Sequence, residues 1–110
     1  MPTFESTPRF LKDLKRLDSQ SLDRFKQVVL EQFVPDVDAG TFRKSLRVKQ
    51  MQGTPKGQVV YEMTWAYDGR ATFQYGEEIK DGVPHVIWRR VGTHSALNMA
   101  PGKGTGRFNG

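Results

Sequence analysis

Residues 60–76, VYEMTWAYDGRATFQYG, contain two runs in which apolar and polar side chains alternate, joined by a short turn sequence. Strict alternation is typical of β-strands that have one buried face and one polar face. The stretch therefore predicts an antiparallel hairpin. Its buried face would carry Tyr61, Met63, Trp65, Phe73 and Tyr75, and its polar face Glu62, Thr64, Arg70, Thr72 and Gln74.

The length of the loop decides whether the two apolar rows lie on the same face of this hairpin. A two-residue loop at Asp68 and Gly69 would place Arg70 on the side of Trp65, and would mix polar with apolar side chains. A three-residue loop at 67–69 keeps the aromatic side chains together, and Gly69 suits the left-handed backbone position that such a loop requires. We therefore predict the three-residue loop.

The region before the hairpin predicts two antiparallel helices over residues 8–33. Thr7 can cap the first helix, with Pro8 in its first turn, and Asp18 or Ser19 can cap the second. We expect the second helix to end at Pro35, because proline interrupts the helical hydrogen-bond pattern. The apolar residues at helical spacing are Phe10, Leu11, Leu14 and Leu17, followed by Leu22, Phe25, Val28, Val29 and Phe33.

Two further strands complete the predicted fold after an irregular segment at 34–42. The alternating run LRVKQMQ predicts a strand over 46–52, and HVIWRRV, residues 85–91, is apolar enough on both faces to be an interior strand. The fold class is therefore α+β, with an N-terminal helical hairpin packed on a twisted, mainly antiparallel sheet. We expect a single domain over 1–97, followed by a glycine-rich flexible tail over 98–110.

The composition limits the partners of such a domain. The net charge is +5, from 17 Lys and Arg against 12 Asp and Glu, and this excess favours a polyanion such as RNA or the ribosome. The chain has no cysteine, which excludes disulfides and thiolate chemistry. No run is long and apolar enough to span a membrane, and the N-terminus lacks a signal-peptide pattern, so we expect a cytoplasmic protein without a membrane partner.

The candidate chemistry lies on the polar face of the sheet. Most of its charged side chains are cations, although a solvated sheet face of ordinary composition is an alternative interpretation. A metal-independent RNA cleavage would need an acid or base such as histidine or glutamate, and arginines to bind the phosphate. Alternation of the last strand predicts that Arg89 points away from Arg90, towards the helices or an edge. The candidates on the polar face are Arg47, Lys49, Glu62, Arg70, Arg90 and His94.

No metal or cofactor site is predicted. The two histidines, His85 and His94, flank one strand and have no carboxylates at ligand-like spacing beside them. We therefore expect neither a metal nor a small-molecule cofactor.

VYEMTWAYDGRATFQYG together with VIWRRVGTH, residues 86–94, resembles the RelE/ParE superfamily of bacterial type II toxin–antitoxin toxins, and the resemblance covers roughly residues 4–97. It implies an mRNA interferase that cleaves mRNA in the ribosomal A site, leaves a 2′,3′-cyclic phosphate and is blocked by a cognate antitoxin. Arg70 matches a phosphate-stabilising arginine of many members, and His94 a basic or imidazole side chain at the end of the last strand. Glu62 and Thr64 occupy positions where some members carry paired lysines.

The resemblance therefore predicts roles in cleavage for His94 and Arg70, and the chemistry of the polar face adds Glu62 as a catalytic candidate. Whether Glu62 or His94 is the general base stays open at this point. We predict that RNA phosphate is bound by Arg47, Lys49, Arg90 and Arg89. Two alternatives remain: a ParE-like inhibitor of DNA gyrase, and a non-catalytic RNA-binding domain of the same fold. The second is favoured by the absence of the paired lysines, and of an aromatic residue at 97–99 after the last strand.

Overall fold

The computed structural model describes residues 1–97, apart from the side chains of Ser95 and Ala96, and it contains one five-stranded sheet. The strands are β1 (Thr3–Ser6), β2 (Lys49–Gln50), β3 (Tyr61–Ala66), β4 (Gly69–Gly76) and β5 (His85–Thr93). They lie in the order β1-β5-β4-β3-β2, and β1 is parallel to β5 whereas the other neighbours are antiparallel. The predicted tail, 98–110, lies outside the described residues.

The first two helices begin where the sequence predicts, whereas the third lies in the segment 34–42, which was predicted to be irregular. The helical elements are α1 (Pro8–Arg16), α2 (Ser19–Val28), a π-turn (Val29–Phe33) and α3 (Val34–Ala39), with a short 3₁₀ turn (Lys44–Leu46) and α4 (His94–Leu97) later in the chain. Thr7 caps α1 by accepting a hydrogen bond from the Phe10 N–H at 3.2 Å, and Asp18 caps α2 by accepting one from the Ser21 N–H at 2.7 Å. None of the helices within residues 1–97 could cross a membrane.

The predicted end of the second helix at Pro35 is wrong. The helical path continues to Ala39 and ends at Gly40, whose φ of 77° is left-handed. Val34 donates its backbone N–H to the Val29 carbonyl across the wide π-turn, so Pro35 enters α3 in its first turn. The π-turn changes the hydrogen-bond register just before Pro35, which lets the helical path include a residue that has no N–H to donate.

The parallel strand β1 was missed by the sequence analysis. It is four residues long and offers no alternating pattern, yet it pairs with β5 from Thr3 opposite His85 to Ser6 opposite Trp88. It leaves β5 flanked on both sides, by β1 and β4, so the prediction that β5 is an interior strand is confirmed.

The strand predicted over 46–52 is much shorter in the structure. Only Lys49 and Gln50 form β2, because the chain first makes the 3₁₀ turn that buries Leu46 completely. Arg47 follows that turn with a left-handed backbone, at a φ of 48°, which a strand residue cannot have. The alternation of cations and apolar residues at 46–49 therefore does not reflect an extended strand.

The hairpin loop has two residues, Tyr67 and Asp68, and the prediction of three is wrong. Ala66 pairs with Gly69, and a bulge at Trp65 then shifts the register, so that Thr64 lies opposite Arg70. The bulge supplies the extra residue that the sequence analysis assigned to the loop. The predicted division into two faces consequently holds: Tyr61 lies opposite Phe73, and Glu62 opposite Thr72.

Gly69 is needed for a reason that the sequence analysis did not identify. Its φ is not left-handed, but a Cβ atom at this position would lie 2.6 Å from two ring carbons of Trp65. The Trp65 indole therefore covers the backbone of Gly69 and fixes the start of β4.

The core lies between the helices and one face of the sheet. The Phe25 and Trp65 rings are 5.6 Å apart, and the Phe33 ring lies 5.0 Å from Phe73 and 4.9 Å from Trp88. These contacts place the aromatic row of β3 and β4 against α2 and the π-turn. The predicted α+β fold, with helices on a mainly antiparallel sheet, is confirmed.

Candidate functional site

A groove runs along the end of the sheet where the β3–β4 turn meets the carboxyl end of β5. It consists of two adjoining clefts that share the side chains of Arg47, Thr64, Arg70 and His94. The sheet-side cleft, of about 320 Å³, adds Val48, Lys49 and Glu62. The helix-side cleft, of about 540 Å³, adds Arg24, Val28, Gln32, Ser45, Trp65, Ala66, Tyr67 and Asp68.

Arg70 is held in the groove by the turn that precedes it. Its Nη1 donates hydrogen bonds to the carbonyl oxygens of Ala66, Tyr67 and Gly69 at 3.3, 3.2 and 3.0 Å. Within residues 1–97, its Nε and Nη2 donate no hydrogen bond, and no carboxylate lies within salt-bridge distance. Neutral carbonyls orient the guanidinium without cancelling its charge, so Arg70 retains the donors and the charge that phosphate binding requires.

His94 is attached to the same turn. Its backbone N–H donates to the Asp68 carbonyl at 2.7 Å, and the preceding residues of β5 pair with the start of β4, Thr93 with Gly69 and Gly92 with Arg70. The half-buried imidazole lines both clefts. The β3–β4 turn therefore positions Arg70 and His94 together.

Glu62 provides a carboxylate on the other side of the sheet-side cleft. Its residue is buried, and its Oε1 lies 3.7 Å from the Nζ of Lys49, which faces it across β2 and β3. The side chain of Lys49 is 65% exposed, whereas that of Glu62 is 10% exposed, so the ammonium covers the carboxylate from the solvent side. Because Glu62 pairs with Thr72, Arg70 is its diagonal neighbour on the same face, within reach of long side chains.

Arg47 has a strained backbone. It is the one non-glycine residue with a positive φ within 1–97, and its backbone N–H closes the 3₁₀ turn on the Lys44 carbonyl at 3.0 Å. Such conformations cost about 1–3 kcal/mol and cluster at functional sites. The exposed side chain lines both clefts.

Arg89 and Arg90 do not line the groove. Arg89 is the extra residue of a bulge between the pairs Thr72–Arg90 and Phe73–Trp88, so strict alternation fails at this point. Arg89 donates from Nη1 to the Oε1 of Gln74, which lies on the polar face, and burial lowers the pKa of its guanidinium. The prediction that Arg89 turns towards the helices or an edge is therefore wrong.

Arg90 pairs with a carboxylate of α1. Its Nε lies 2.9 Å from the Oδ2 of Asp13, and the same oxygen accepts the Val91 backbone N–H at 3.2 Å. The two charged side chains are 14% and 9% exposed. The prediction that Arg90 lies beside His94 is therefore wrong. Arg90 belongs to the part of β5 that extends past the end of β1, and this part binds α1.

Arg24, Tyr67 and Asp68 line the groove but were not predicted. Arg24 lies on α2, far from the hairpin in the sequence, and carries no local signal. Tyr67 and Asp68 were predicted only to form the loop. The sequence does contain a signal for Tyr67, because a tyrosine in a polar turn is typical of a binding residue. His85 lies outside the groove, where it is buried and within hydrogen-bond distance of Thr3 Oγ1 at 2.8 Å.

Metal ligands are not clustered in the described part of the chain. Within residues 1–97 there is no group of three or more His, Asp or Glu side chains that could hold a metal ion. The groove is instead a cationic site with one imidazole and two carboxylates, Glu62 and Asp68.

Solved structures of bacterial toxins have the same fold. The chain is similar to the DinJ–YafQ toxin–antitoxin complex of E. coli, with 17% identity and a TM-score of 0.61, over 87% of this chain and 96% of that chain. A copper-bound mutant toxin from Helicobacter pylori has 20% identity and a TM-score of 0.58, over 88% and 99%. The intact E. coli RelBE toxin–antitoxin complex has 17% identity and a TM-score of 0.53, over 84% and 96%.

The chain therefore has the RelE-like α+β fold, and the resemblance seen in the sequence is confirmed at the level of the fold. No protein-family model matches the chain, and no curated protein matches it significantly.

Proposed function

We propose that this protein is the toxin of a type II toxin–antitoxin module and an endoribonuclease that cleaves mRNA on the ribosome. The observation that carries the proposal is the convergence of five predicted residues in one groove, three of them catalytic candidates from different elements of the fold. These residues are Arg47, Lys49, Glu62, Arg70 and His94. The toxin–antitoxin complexes of similar fold support an antitoxin as the protein partner.

The groove has the groups that cleavage by the ribose 2′-OH requires. A base removes the 2′-OH proton, the oxygen attacks the adjacent phosphorus, and the bond from phosphorus to the 5′-oxygen breaks. An acid protonates that leaving oxygen, so the products are a 2′,3′-cyclic phosphate and a 5′-OH. We assign the base to Glu62, whose carboxylate lines the sheet-side cleft 3.7 Å from the Nζ of Lys49, and the acid to His94.

Arg70 and Arg47 would stabilise the phosphorane. The attacked phosphate gains negative charge in the transition state, and a guanidinium that is already oriented stabilises that charge without reorganising. Arg70 meets this condition because the turn carbonyls hold Nη1 and leave Nε and Nη2 to bind two phosphate oxygens. Arg47 lines the same two clefts from the end of the 3₁₀ turn that precedes β2.

The test is to induce the gene and to sequence the 5′ ends of cellular mRNA. We expect growth arrest and new 5′-OH ends inside translated codons. His94→Ala should lower cleavage by about 10²–10⁴, because it removes an acid. Lys80→Ala is a control that removes one exposed cation far from the groove, and it should cleave like the wild type.

Two variants test the assignment of the two roles. Glu62→Gln and His94→Ala should each lower cleavage, because each removes one of the two proton-transfer groups. If His94→Ala melts normally but still arrests growth like the wild type, the proposed nuclease is wrong. Arrest with damaged DNA and intact mRNA would instead indicate a gyrase inhibitor.

A further inference from the structure

We propose that the helix-side cleft binds a nucleobase next to the scissile phosphate, with Tyr67 as the surface on which that base stacks. This inference rests on the proposed nuclease function and deepens it, because it assigns a second half of the groove to substrate recognition. The ligand class is one base of single-stranded RNA.

Tyr67 is a large aromatic side chain held fully exposed at the mouth of the cleft. Its exposed fraction is 100%, so the whole ring is accessible to a ligand. The turn that carries it is rigid: Ala66 pairs with Gly69, Arg70 binds the carbonyl of Tyr67 itself at 3.2 Å, and Asp68 accepts the His94 N–H. A ring on such a support can stack a base at little entropic cost.

The cleft beside Tyr67 matches the surface of a base. Val28 and Trp65 offer apolar walls, while Gln32 and Ser45 offer an amide and a hydroxyl that can bond to base edges.

The two clefts are connected in the way that successive groups of one RNA strand require. Arg47, Thr64, Arg70 and His94 line both, so a phosphate held by Arg70 in the sheet-side cleft lies beside any group in the helix-side cleft. Arg24 on α2 adds a cation to the helix-side cleft, which can bind a second phosphate of the strand. An exposed aromatic ring beside a cleft that is lined by Arg24, Arg47 and Arg70 favours nucleic acid over an apolar protein segment.

The experiment measures cleavage by purified ribosomes carrying one defined mRNA, either intact or with a single abasic nucleotide flanking the cleavage position. Tyr67→Ala should lower kcat/KM on the intact mRNA by roughly 5- to 150-fold, the equivalent of one lost stacking interaction. Tyr67→Phe is the matched control, since it keeps the ring, and it should retain most of the activity. On the abasic mRNA the wild type should already be slow, and Tyr67→Ala should lose nothing further.

Several results would overturn the subsite while leaving the nuclease intact. One is full activity of Tyr67→Ala on the intact mRNA when His94→Ala is inactive, which would mean that Tyr67 does not bind the RNA. Another is an equal loss on both mRNAs, which would mean that Tyr67 does not touch the missing base. If His94→Ala is as active as the wild type, the proposed function itself fails. Thermal melting of Tyr67→Ala should match the wild type, because its ring makes no buried contact.

Discussion

Arg70 and Arg90 lie on neighbouring strands of one sheet, opposite Gly92 and Thr72, yet they are held by different kinds of partner. Neutral carbonyls of a turn bind Arg70, whereas a nearly buried carboxylate, Asp13, binds Arg90. The first arginine lines a groove with a histidine, and the second ties a helix to the edge of a strand.

The difference teaches how the surroundings of an arginine indicate its role. A carboxylate neutralises the guanidinium and leaves little charge for a ligand, so the pair acts within the fold. Backbone carbonyls fix the geometry and leave the charge in place, so the same side chain remains able to bind phosphate. Both arginines contribute to the +5 charge of the sequence, which cannot distinguish them.

The largest expected effect is that one arginine variant loses activity and the other loses stability. Arg70→Ala should lower mRNA cleavage by about 10²–10³, the cost of one lost charge-stabilising donor, without a lower Tm. Arg90→Met should lower the free energy of unfolding by about 3 kcal/mol, because it leaves the Asp13 carboxylate buried and unpaired. Cleavage rates and thermal melting of both variants measure the two effects.

A companion variant separates the ion pair from packing in this test. Arg90→Met in an Asp13→Asn background should cost less than in the wild type, since no unpaired charge is left in the fold. A similar loss of stability for Arg70→Ala and Arg90→Met would contradict the distinction between them.

The second prediction concerns the tryptophan that supports the turn of Arg70. Trp65→Ala should cost about 3–5 kcal/mol, because a large buried aromatic is removed from contact with Phe25 and Gly69. The turn carbonyls should also lose their positions, so cleavage should fall under conditions where the variant is still folded. Chemical denaturation and cleavage assays test this, and Trp65→Phe should preserve more of both. Wild-type melting of Trp65→Ala would mean that the indole does not pack as the structure places it.

Arg43, like Arg90, is paired with a carboxylate, and the pH dependence of stability tests the contribution of this pair. The Arg43 side chain donates to both carboxylate oxygens of Asp36, and this hydrogen bonding holds the pKa of Asp36 below its ordinary value. A lowered pKa in the folded state stabilises the fold above the ordinary pKa of aspartate, and this stability is lost as the pH falls through the lowered value. Asp36→Asn should therefore lower the Tm at neutral pH, and the difference from the wild type should shrink in acid. A Tm difference that stays constant with pH would exclude the ion pair as its source.

The smallest expected effect separates charge from backbone strain at Arg47. Arg47→Gly and Arg47→Ala both remove the guanidinium, so they should lose cleavage equally. Arg47→Gly should be the more stable of the two by about 1 kcal/mol, because only glycine adopts the left-handed conformation without strain. Equal melting of the two variants would show that the turn relaxes.

Much of the fold could be predicted from local patterns. The caps at Thr7 and Asp18 follow from side chains that reach N–H groups three residues away. The faces of β3 and β4 follow from alternation, even though a bulge at Trp65 took the place of the longer loop. The helix end at Pro35 was predicted wrongly, because the effect of this proline depends on the π-turn before it. The spacing of hydrophobic residues does not reveal such a change of hydrogen-bond register.

The sequence by itself determined the two helices at the start, the hairpin faces, the excess positive charge, and Arg70 and His94 as candidates. Only the tertiary structure decided which cations share a groove. Asp13 and Arg90 are 77 residues apart, and Arg24 and Tyr67 come together from a helix and a distant turn. The physical reason is range: caps and alternation are set within a few residues, whereas the partner of a long charged side chain depends on packing between distant segments.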